Sequence, residues 1–144
     1  MNMLIRPMTW EDISQVCEIE NDIFPLPWKH EDFISAIQDT NNIYLVTERD
    51  GKVIAYCGLW GIVDEGHINN VAVSKEYHHK GIAYKMLSYL IENGRLKGLE
   101  TFTLEVRIGN KNAISLYKKL GFRNAGIRPN FYLYPSEDAL VMWL

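Results

Sequence analysis

Two side chains that can exchange protons, Glu105 and Tyr117, fall on consecutive predicted elements. Glu105 lies on the polar face of an alternating strand, Thr101 to Arg107, where it could take a proton from a substrate directly or through water. Tyr117 follows Asn110 by nearly two helical turns, roughly 10 Å along one face, and a phenol can donate a proton to an anion as it forms. The plainer roles are an ion pair of Glu105 with Arg107 or a cation from another strand, and core packing for Tyr117.

A basic loop, His78 to Ala83, joins a predicted strand ending at Val73 to a predicted helix beginning near Tyr84. The first turn of a helix has free N–H groups and the positive end of the helix dipole, so this arrangement suits a phosphate group. The loop lacks the glycines of a dinucleotide fingerprint and the Gly-Lys-Ser/Thr ending of a nucleoside triphosphate loop. Gly81 and the small Ala83 allow close approach to the backbone. A plain strand–loop–helix connection is the alternative.

The chain is acidic overall but basic around this loop. Its formal net charge is -3, which argues against direct binding to nucleic acid. The residues near the loop are mostly cationic: Lys75, His78, His79, Lys80 and Lys85, opposed by Glu76. A local basic patch on an acidic protein suits a small polyanion such as coenzyme A, although most such clusters are simply solvated charge.

Length and composition predict one domain, residues 1–144, with 47% apolar and 23% charged residues. Cys17 and Cys57 show neither metal-ligand spacing nor a redox pair, so we expect both to be reduced and buried and expect no metal site. Arg6-Pro7 interrupts the apolar start of a signal peptide, and the longest apolar run, Val53 to Val63, is too short to cross a bilayer and is predicted to be a buried strand. We therefore expect a cytoplasmic protein without a membrane partner, and favour a monomer.

The elements that must position these residues alternate between strands and helices. Strands are predicted at Met3 to Met8, Ile43 to Arg49, Lys52 to Val63, Glu65 to Val73, Thr101 to Arg107, Arg123 to Pro129 and Ala139 to Leu144. Helices are predicted after Thr9, from Lys29 to Asp39, from Tyr84 to Lys97 and from Asn110 to Leu120. This order predicts an α+β fold, a mixed central β-sheet flanked by about four helices.

Several motifs together resemble the Gcn5-related N-acetyltransferase (GNAT) superfamily. The segment His78-x-x-Gly81-x-Ala83 is similar to its pyrophosphate loop, Gln/Arg-x-x-Gly-x-Gly/Ala, with histidine at the first position. Other segments match the ribosomal-protein alanine N-acetyltransferases of the RimI type: Phe24 to Trp28, Ile68 to Val73, Leu104 to Arg107, Asn110 to Phe122, Arg128 to Tyr132 and Glu137 to Ala139. The similarity covers essentially the whole chain and implies the GNAT fold.

The resemblance also implies roles for individual residues. The general base of the family falls on Glu105 and its general acid on Tyr117. Its acetyl-CoA contacts fall on the backbone of Val71, Ala72 and Val73, on His79, Lys80, Gly81, Ile82, Ala83 and Tyr84, and on Asn110. Its peptide substrate would enter between the Phe24–Trp28 loop and the Arg128–Tyr134 segment, with Trp28, Asn69, Arg128 and Tyr132 as candidate contacts. Aromatic loops that merely pack on each other are the alternative.

The expected function is transfer of acetyl from acetyl-CoA to the α-amino group of an alanine-starting, small-subunit ribosomal protein. Such a transfer needs a neutral amine, a polarised carbonyl and a proton for the leaving thiolate, which Glu105, the strand N–H groups near Val73 and Tyr117 could supply. One alternative is an acetyltransferase of a small amine such as a polyamine, antibiotic or amino acid. Another is a catalytically silent acyl-CoA-binding subunit, against which the presence of both Glu105 and Tyr117 argues.

Overall fold

A seven-stranded mixed sheet forms the centre of the computed structural model, which describes residues 2–144. The strands are β1 (Met3–Pro7), β2 (Ile43–Arg49), β3 (Lys52–Ile62), β4 (Glu65–Val73), β5 (Thr101–Arg107), β6 (Arg123–Leu133) and β7 (Ser136–Trp143). The helices are α1 (Ile13–Ile23), α2 (His30–Gln38), α3 (Ile82–Leu96) and α4 (Lys111–Lys119). The spatial order of the strands is β1-β2-β3-β4-β5-β7-β6, in which β4 and β5 run parallel and the other neighbours antiparallel.

Apolar helix faces cover both sides of this sheet. Helix α3 turns Met86, Leu87 and Leu90 inward at helical spacing, and all three are fully buried with one face of the sheet. Helices α1 and α2 bring Ile13 and Phe33 onto the other face, where they are equally buried. The sheet is thereby held between two apolar layers, which fixes the directions of its strands.

Strands β4 and β5 separate soon after they begin to pair. Their pairing extends from Glu65 opposite Thr101 to His67 opposite Thr103, after which β4 continues with β3 and β5 with β7. A register shift in the β3–β4 ladder leaves Asn69 as an extra residue on β4, and such a bulge bends the strand that carries it. A V-shaped gap therefore opens between the two central strands.

The predicted α+β fold with four helices is confirmed, but several boundaries differ, among them the start of α1, where a short 3₁₀ helix, Trp10–Asp12, precedes Ile13. Helix α3 begins at Ile82 rather than near Tyr84, because Gly81 occupies the N-cap position in a left-handed conformation, with φ +77°. Strand β6 continues past Pro129 to Leu133, and β7 begins at Ser136 rather than Ala139. An edge strand tolerates proline because one side of its backbone needs no partner in the sheet.

Three burial predictions also need correction. Cys57 is buried but Cys17 is only half-buried, and both are free thiols. The run expected to be a buried strand ends at Ile62, and Val63 in the following turn is 95% exposed, because the β3–β4 hairpin projects beyond the core. Thr103, on the predicted polar face of β5, is buried because its hydroxyl donates a hydrogen bond to the carbonyl of Met142 at 2.9 Å. No helix within residues 2–144 is long and apolar enough to span a bilayer.

Candidate active site

A cavity of about 480 Å³ occupies the gap between β4 and β5. Its floor comes from the two splayed strands, one wall from α4, and the mouth from the α1–α2 loop and the β6–β7 hairpin. Seven of the predicted site residues line it: Trp28, Asn69, Val71, Glu105, Asn110, Tyr117 and Tyr132. Residues that are distant in sequence thus share one concave, partly apolar site, which is the usual form of a small-ligand or peptide-end pocket.

Glu105 faces this cavity from β5, with its side chain 24% exposed. Of the two ion-pair partners predicted for it, the cation from another strand is the one observed. Nε of Arg128 lies 3.9 Å from its Oε2, whereas Arg107 pairs with Glu137 at 3.3 Å. A pair of this length with an exposed arginine is weak. The carboxylate of Glu105 is therefore open to an amine held in the gap.

Tyr117 approaches from α4 and is 8% exposed. Its ring packs edge-on against Phe122, with centroids 5.9 Å apart, so the predicted core-packing role is real. The same residue also lines the cavity. Burial raises the pKa of its hydroxyl, which therefore keeps its proton at neutral pH and can act as a donor. Packing and proton donation are compatible in this position.

Helix α4 begins at Asn110, whose side chain accepts a hydrogen bond from the N–H of Ala113 at 3.3 Å. This cap explains why the helix begins where it does. Asn110, Ala113 and Tyr117 line the cavity together, as their spacing on one helix face predicts. An extended ligand arm could lie along this stripe.

The gap-facing edge of β4 offers unpaired backbone groups. The N–H of Ser74 donates to the carbonyl of Ile54 at 2.8 Å, on the β3 side. Because N–H groups alternate along a strand, those of Val71 and Val73 point into the gap and that of Ala72 points toward β3. Two of the three predicted backbone donors are therefore free, and Ala72 is a buried sheet residue instead.

The loop between β4 and α3 forms a cradle of N–H groups. His79 and Gly81 both have left-handed backbones, with φ of +62° and +77°, and such alternation makes an anion-binding concavity. The N–H of Lys85 bonds to the carbonyl of Gly81 at 3.2 Å, which leaves the N–H groups of the first helical turn unpaired within the helix. That turn contains no acidic residue, and a Cβ at Gly81 would meet no atom within 4 Å. A pyrophosphate group fits the open, positive end of this helix.

Side chains of the loop secure it to the strand and to the core. Nε2 of His78 donates a hydrogen bond to the carbonyl of Val73 at 2.7 Å. Ile82 is 5% exposed and joins the core under α3. Lys80 and Tyr84 are exposed, and Ala83 is half-buried. None of residues 79–84 lines the 480 Å³ cavity, because the loop lies beyond the end of β4.

Glu20 on α1 is a cavity residue that sequence reasoning missed. It is 3% exposed and accepts hydrogen bonds from the N–H of Trp28, at 2.9 Å, and from the hydroxyl of Tyr56. Burial raises the pKa of its carboxyl, an effect that both hydrogen bonds oppose. The sequence signal was a carboxylate on the apolar stripe that carries Ile13 and Val16.

The mouth of the cavity is aromatic on both sides. Trp28 packs on Phe33, Tyr44 and Trp60, with ring centroids 5.1, 6.5 and 6.4 Å away. Across the mouth, burial raises the pKa of Tyr132 to about 12. Arg128 does not line the cavity, and instead lies at its rim between Glu105 and the ring of Phe131. Each of these aromatic clusters packs within its own side, and the opening between them remains.

Nothing in residues 2–144 brings together three or more His, Cys, Asp or Glu side chains as metal ligands. The arrangement instead combines a carboxylate, a protonated phenol, fixed N–H donors and an anion cradle. Such a set can remove a proton from a nucleophile, polarise a carbonyl and protonate a leaving group.

Similar proteins agree with this chemistry. Residues 13–122 match the acetyltransferase (GNAT) family. A ribosomal protein bS18-alanine N-acetyltransferase of Escherichia coli (strain K12) is 33% identical over 142 residues, which cover 97% of this chain and 95% of the relative. A Bacillus subtilis (strain 168) protein provisionally named for the same activity is 38% identical over 141 residues, with 97% and 93% covered.

The structural similarity is equally extensive. A crystal structure of the ribosomal-protein-S18-alanine N-acetyltransferase from Escherichia coli matches with a TM-score of 0.91 at 32% identity, covering 99% of this chain and 93% of that one. A plant NAA60 from Arabidopsis thaliana, solved with a bisubstrate analogue, shares the fold with a TM-score of 0.88 at 20% identity, covering 99% and 97%. The predicted GNAT fold is confirmed, and this chain belongs to the GNAT family of acetyl-CoA-dependent N-acetyltransferases.

Proposed function

We propose that this enzyme transfers acetyl from acetyl-CoA to the α-amino group of a ribosomal protein that begins with alanine. The observation that carries this proposal is the cavity between β4 and β5, which Glu105, Tyr117 and Val71 line together. The near full-length similarity to the Escherichia coli enzyme named for bS18 supports the choice of substrate.

In the proposed reaction the substrate amine attacks the acetyl carbonyl of the thioester, so that an N–C bond forms as the C–S bond breaks. Glu105 accepts the proton that the amine loses. A free α-amino group has a pKa of ~7.7–8, so a carboxylate close to it is a sufficient base near neutral pH. The N–H of Val71 stabilises the charge on the carbonyl oxygen, and Tyr117 gives its proton to the departing sulfur.

The proposed cofactor site runs from the loop to α4. The N–H groups of His79 to Tyr84 hold the pyrophosphate, with Lys80 nearby in the exposed part of the loop. The pantetheine arm lies along the free edge of β4, between Val71 and Val73, and reaches the Asn110 end of α4. This path leads the thioester to the position between Glu105 and Tyr117.

The proposed peptide site is the aromatic mouth. Trp28 and Tyr132 provide walls, while Asn69 and Arg128 provide polar groups at the rim. We also propose that the enzyme acts as a monomer and that the reaction takes place in the cytoplasm, where free thiols such as those of Cys17 and Cys57 are usual.

Mass spectrometry of acetylated peptides tests the proposal. Peptides that differ only at the first residue, each with one internal lysine, are incubated with the enzyme and acetyl-CoA, and the position of the added acetyl is located. We expect modification of the α-amine of the alanine peptide and none of the lysine. An otherwise identical peptide with a blocked α-amine is the control. Acetylation of the lysine alone, or of a polyamine in place of every peptide, would contradict the proposal.

A further inference from the structure

Arg107, the last residue of β5, reaches across the cavity rim to the turn between β6 and β7. Its Nη1 donates to the carbonyl of Pro135 at 2.8 Å, and its Nη2 donates to the carbonyl of Tyr134 at 3.0 Å. Its guanidinium carbon lies 4.3 Å from the ring centroid of Tyr132, within the range of a cation–π contact. One planar side chain therefore contacts both the backbone of the turn and the cavity-lining Tyr132 of β6.

Glu137 extends this contact to the loop before α4. Its Oε1 accepts from Nη1 of Arg107 at 3.3 Å, and its Oε2 accepts from the N–H of Gly109 at 2.7 Å. A Cβ at position 109 would lie 2.8 Å from that Oε2, so glycine permits this approach. Gly109 precedes Asn110, the cap of the helix that carries Tyr117. The turn and the start of α4 are thus joined through one carboxylate.

These contacts involve an exposed turn with few apolar contacts of its own. The side chains of Arg107 and Glu137 are 25% and 28% exposed, whereas Leu133 at the end of β6 and Tyr134 in the turn are 80% and 64% exposed. The turn has little apolar burial of its own, and hydrogen bonds that involve charged groups are stronger than neutral ones. Arg107 and Glu137 therefore add charged side-chain contacts to a turn that is otherwise held by the β6–β7 ladder, whose last pair is Leu133 opposite Ser136.

We infer that Arg107 is a positioning residue that fixes Tyr132 and the β6–β7 turn for the incoming peptide, and that Glu137 couples this turn to α4. The inference rests on the proposed function, because it assigns the turn to the peptide side of the cavity. It predicts that loss of Arg107 impairs peptide use and leaves the cofactor side intact.

Steady-state kinetics with each substrate varied separately tests this inference. For Arg107→Met we expect the KM for the alanine peptide to rise at least about tenfold, as suits the loss of hydrogen bonds from a charged group, and the KM for acetyl-CoA to stay within about twofold. Arg107→Lys should recover only part of the loss, because one ammonium group cannot replace the planar fork. Glu137→Gln, which retains an acceptor for Gly109, should be milder than Glu137→Ala.

Arg6→Met is the matched control. Arg6 is similarly exposed, at 29%, and holds Asp12 and Glu48 at 2.8 and 2.6 Å, but it lies on β1 at the opposite edge of the sheet. It should lower thermal stability and leave both KM values unchanged. Equal effects of Arg107→Met on both KM values, or a peptide KM no higher than that of Arg6→Met, would overturn the inference.

Amide hydrogen exchange separates this inference from the proposed function. In Arg107→Met, exchange should accelerate in residues 130–137 and stay unchanged in β1 and β2. Unchanged exchange in the turn would overturn the positioning role whatever the substrate. If the wild type acetylates no peptide at all, the proposed function fails on that result alone, while the exchange data still decide whether Arg107 orders the turn.

Discussion

The two halves of the proposed site, one for the cofactor and one for the peptide, are built from different groups of the chain. The proposed cofactor half, residues 71–73 and 78–84, presents N–H groups from a strand edge, a left-handed loop and a helix start. The peptide half, residues 24–28 and 128–137, is held by side chains: Glu20 fixes the backbone of Trp28, and Arg107 fixes the β6–β7 turn. Backbone groups are the same for every residue, so the cofactor half should tolerate changes that the peptide half does not.

The substitution at position 78 illustrates that tolerance. The family pattern has glutamine or arginine there, and this chain has histidine. The ring still donates to the carbonyl of Val73, and the loop still reaches Gly81 in a left-handed conformation. What the cradle needs is the shape of the backbone and room for the ligand.

The largest expected effect is at the junction of the two halves. Tyr117→Phe removes the proposed proton donor and keeps the ring that packs on Phe122. General acid–base groups contribute about 10²–10⁴-fold, so kcat should fall by at least about 10²-fold. Acetyl-CoA affinity, measured by calorimetry, should stay unchanged. A rate within a few-fold of wild type would reassign Tyr117 to packing alone.

A smaller effect is expected from Ala83→Asp in the first turn of α3, which puts a side chain and a negative charge where the pyrophosphate approaches. Acetyl-CoA affinity should fall by roughly 10–100-fold, equivalent to about 1.4–2.8 kcal/mol. Leu96→Asp, 81% exposed near the other end of the same helix, is the control and should bind normally. If a folded Ala83→Asp variant bound acetyl-CoA with normal affinity, the pyrophosphate would have to bind elsewhere.

Glu20→Gln tests how a buried carboxyl group makes the stability of the proposed peptide half depend on pH. Burial raises the pKa of Glu20 above its ordinary value of 4.5, so the folded protein binds this proton more tightly than the unfolded chain does. The free energy of unfolding should therefore fall as pH rises from 4.5 through the raised pKa, with a slope of at most about 1.4 kcal/mol per pH unit. The variant should lack this decline in denaturant titrations. Glu18→Gln, exposed on the same helix, should retain it.

The smallest effect is predicted for His78. His78→Gln keeps a donor for the carbonyl of Val73, and acetyl-CoA affinity should match that of wild type within about twofold. His78→Ala loses one hydrogen bond, for an expected loss of about 0.5–1.5 kcal/mol of loop stability and at most about tenfold in affinity. Calorimetry with acetyl-CoA on both variants checks this order of affinities. A larger loss in His78→Gln than in Ala83→Asp would contradict a cradle made of backbone.

The backbone geometry of the proposed cofactor half follows from the local sequence more directly than the side-chain contacts of the proposed peptide half do. Gly81, Ala83 and the helix after them form a local motif, which is readable because its backbone geometry depends on neighbouring residues. The contact between Glu20 and Tyr56 joins residues 36 apart, and the tie between Arg107 and Glu137 joins residues 30 apart. Residues so far apart in sequence leave no local pattern, so these two contacts are visible only in the folded structure.

Some boundaries of helices and strands were likewise not predictable from the local sequence. The helical and alternating patterns placed the four α-helices and the central strands, since buried faces repeat with a fixed period, whereas β6 is exposed along nearly its whole length. The continuation of β6 through Pro129 depends on its place at the sheet edge, and the separation of β4 from β5 depends on a bulge at Asn69. Both are properties of strand pairing, which one strand's sequence does not contain.

The most direct test of the central claim is the pH dependence of kcat/KM for the alanine peptide with wild type and Glu105→Gln. If Glu105 takes the amine proton where the two halves meet, the variant should be slowest below pH ~8, where the α-amine is still charged, and should partly recover above it. The isosteric amide should leave folding unaffected. If Glu105 serves only as a surface partner of Arg128, whose exposed pairing contributes about 0–1 kcal/mol, the two profiles should coincide. Coincident profiles at every pH would contradict the assignment of Glu105 as general base.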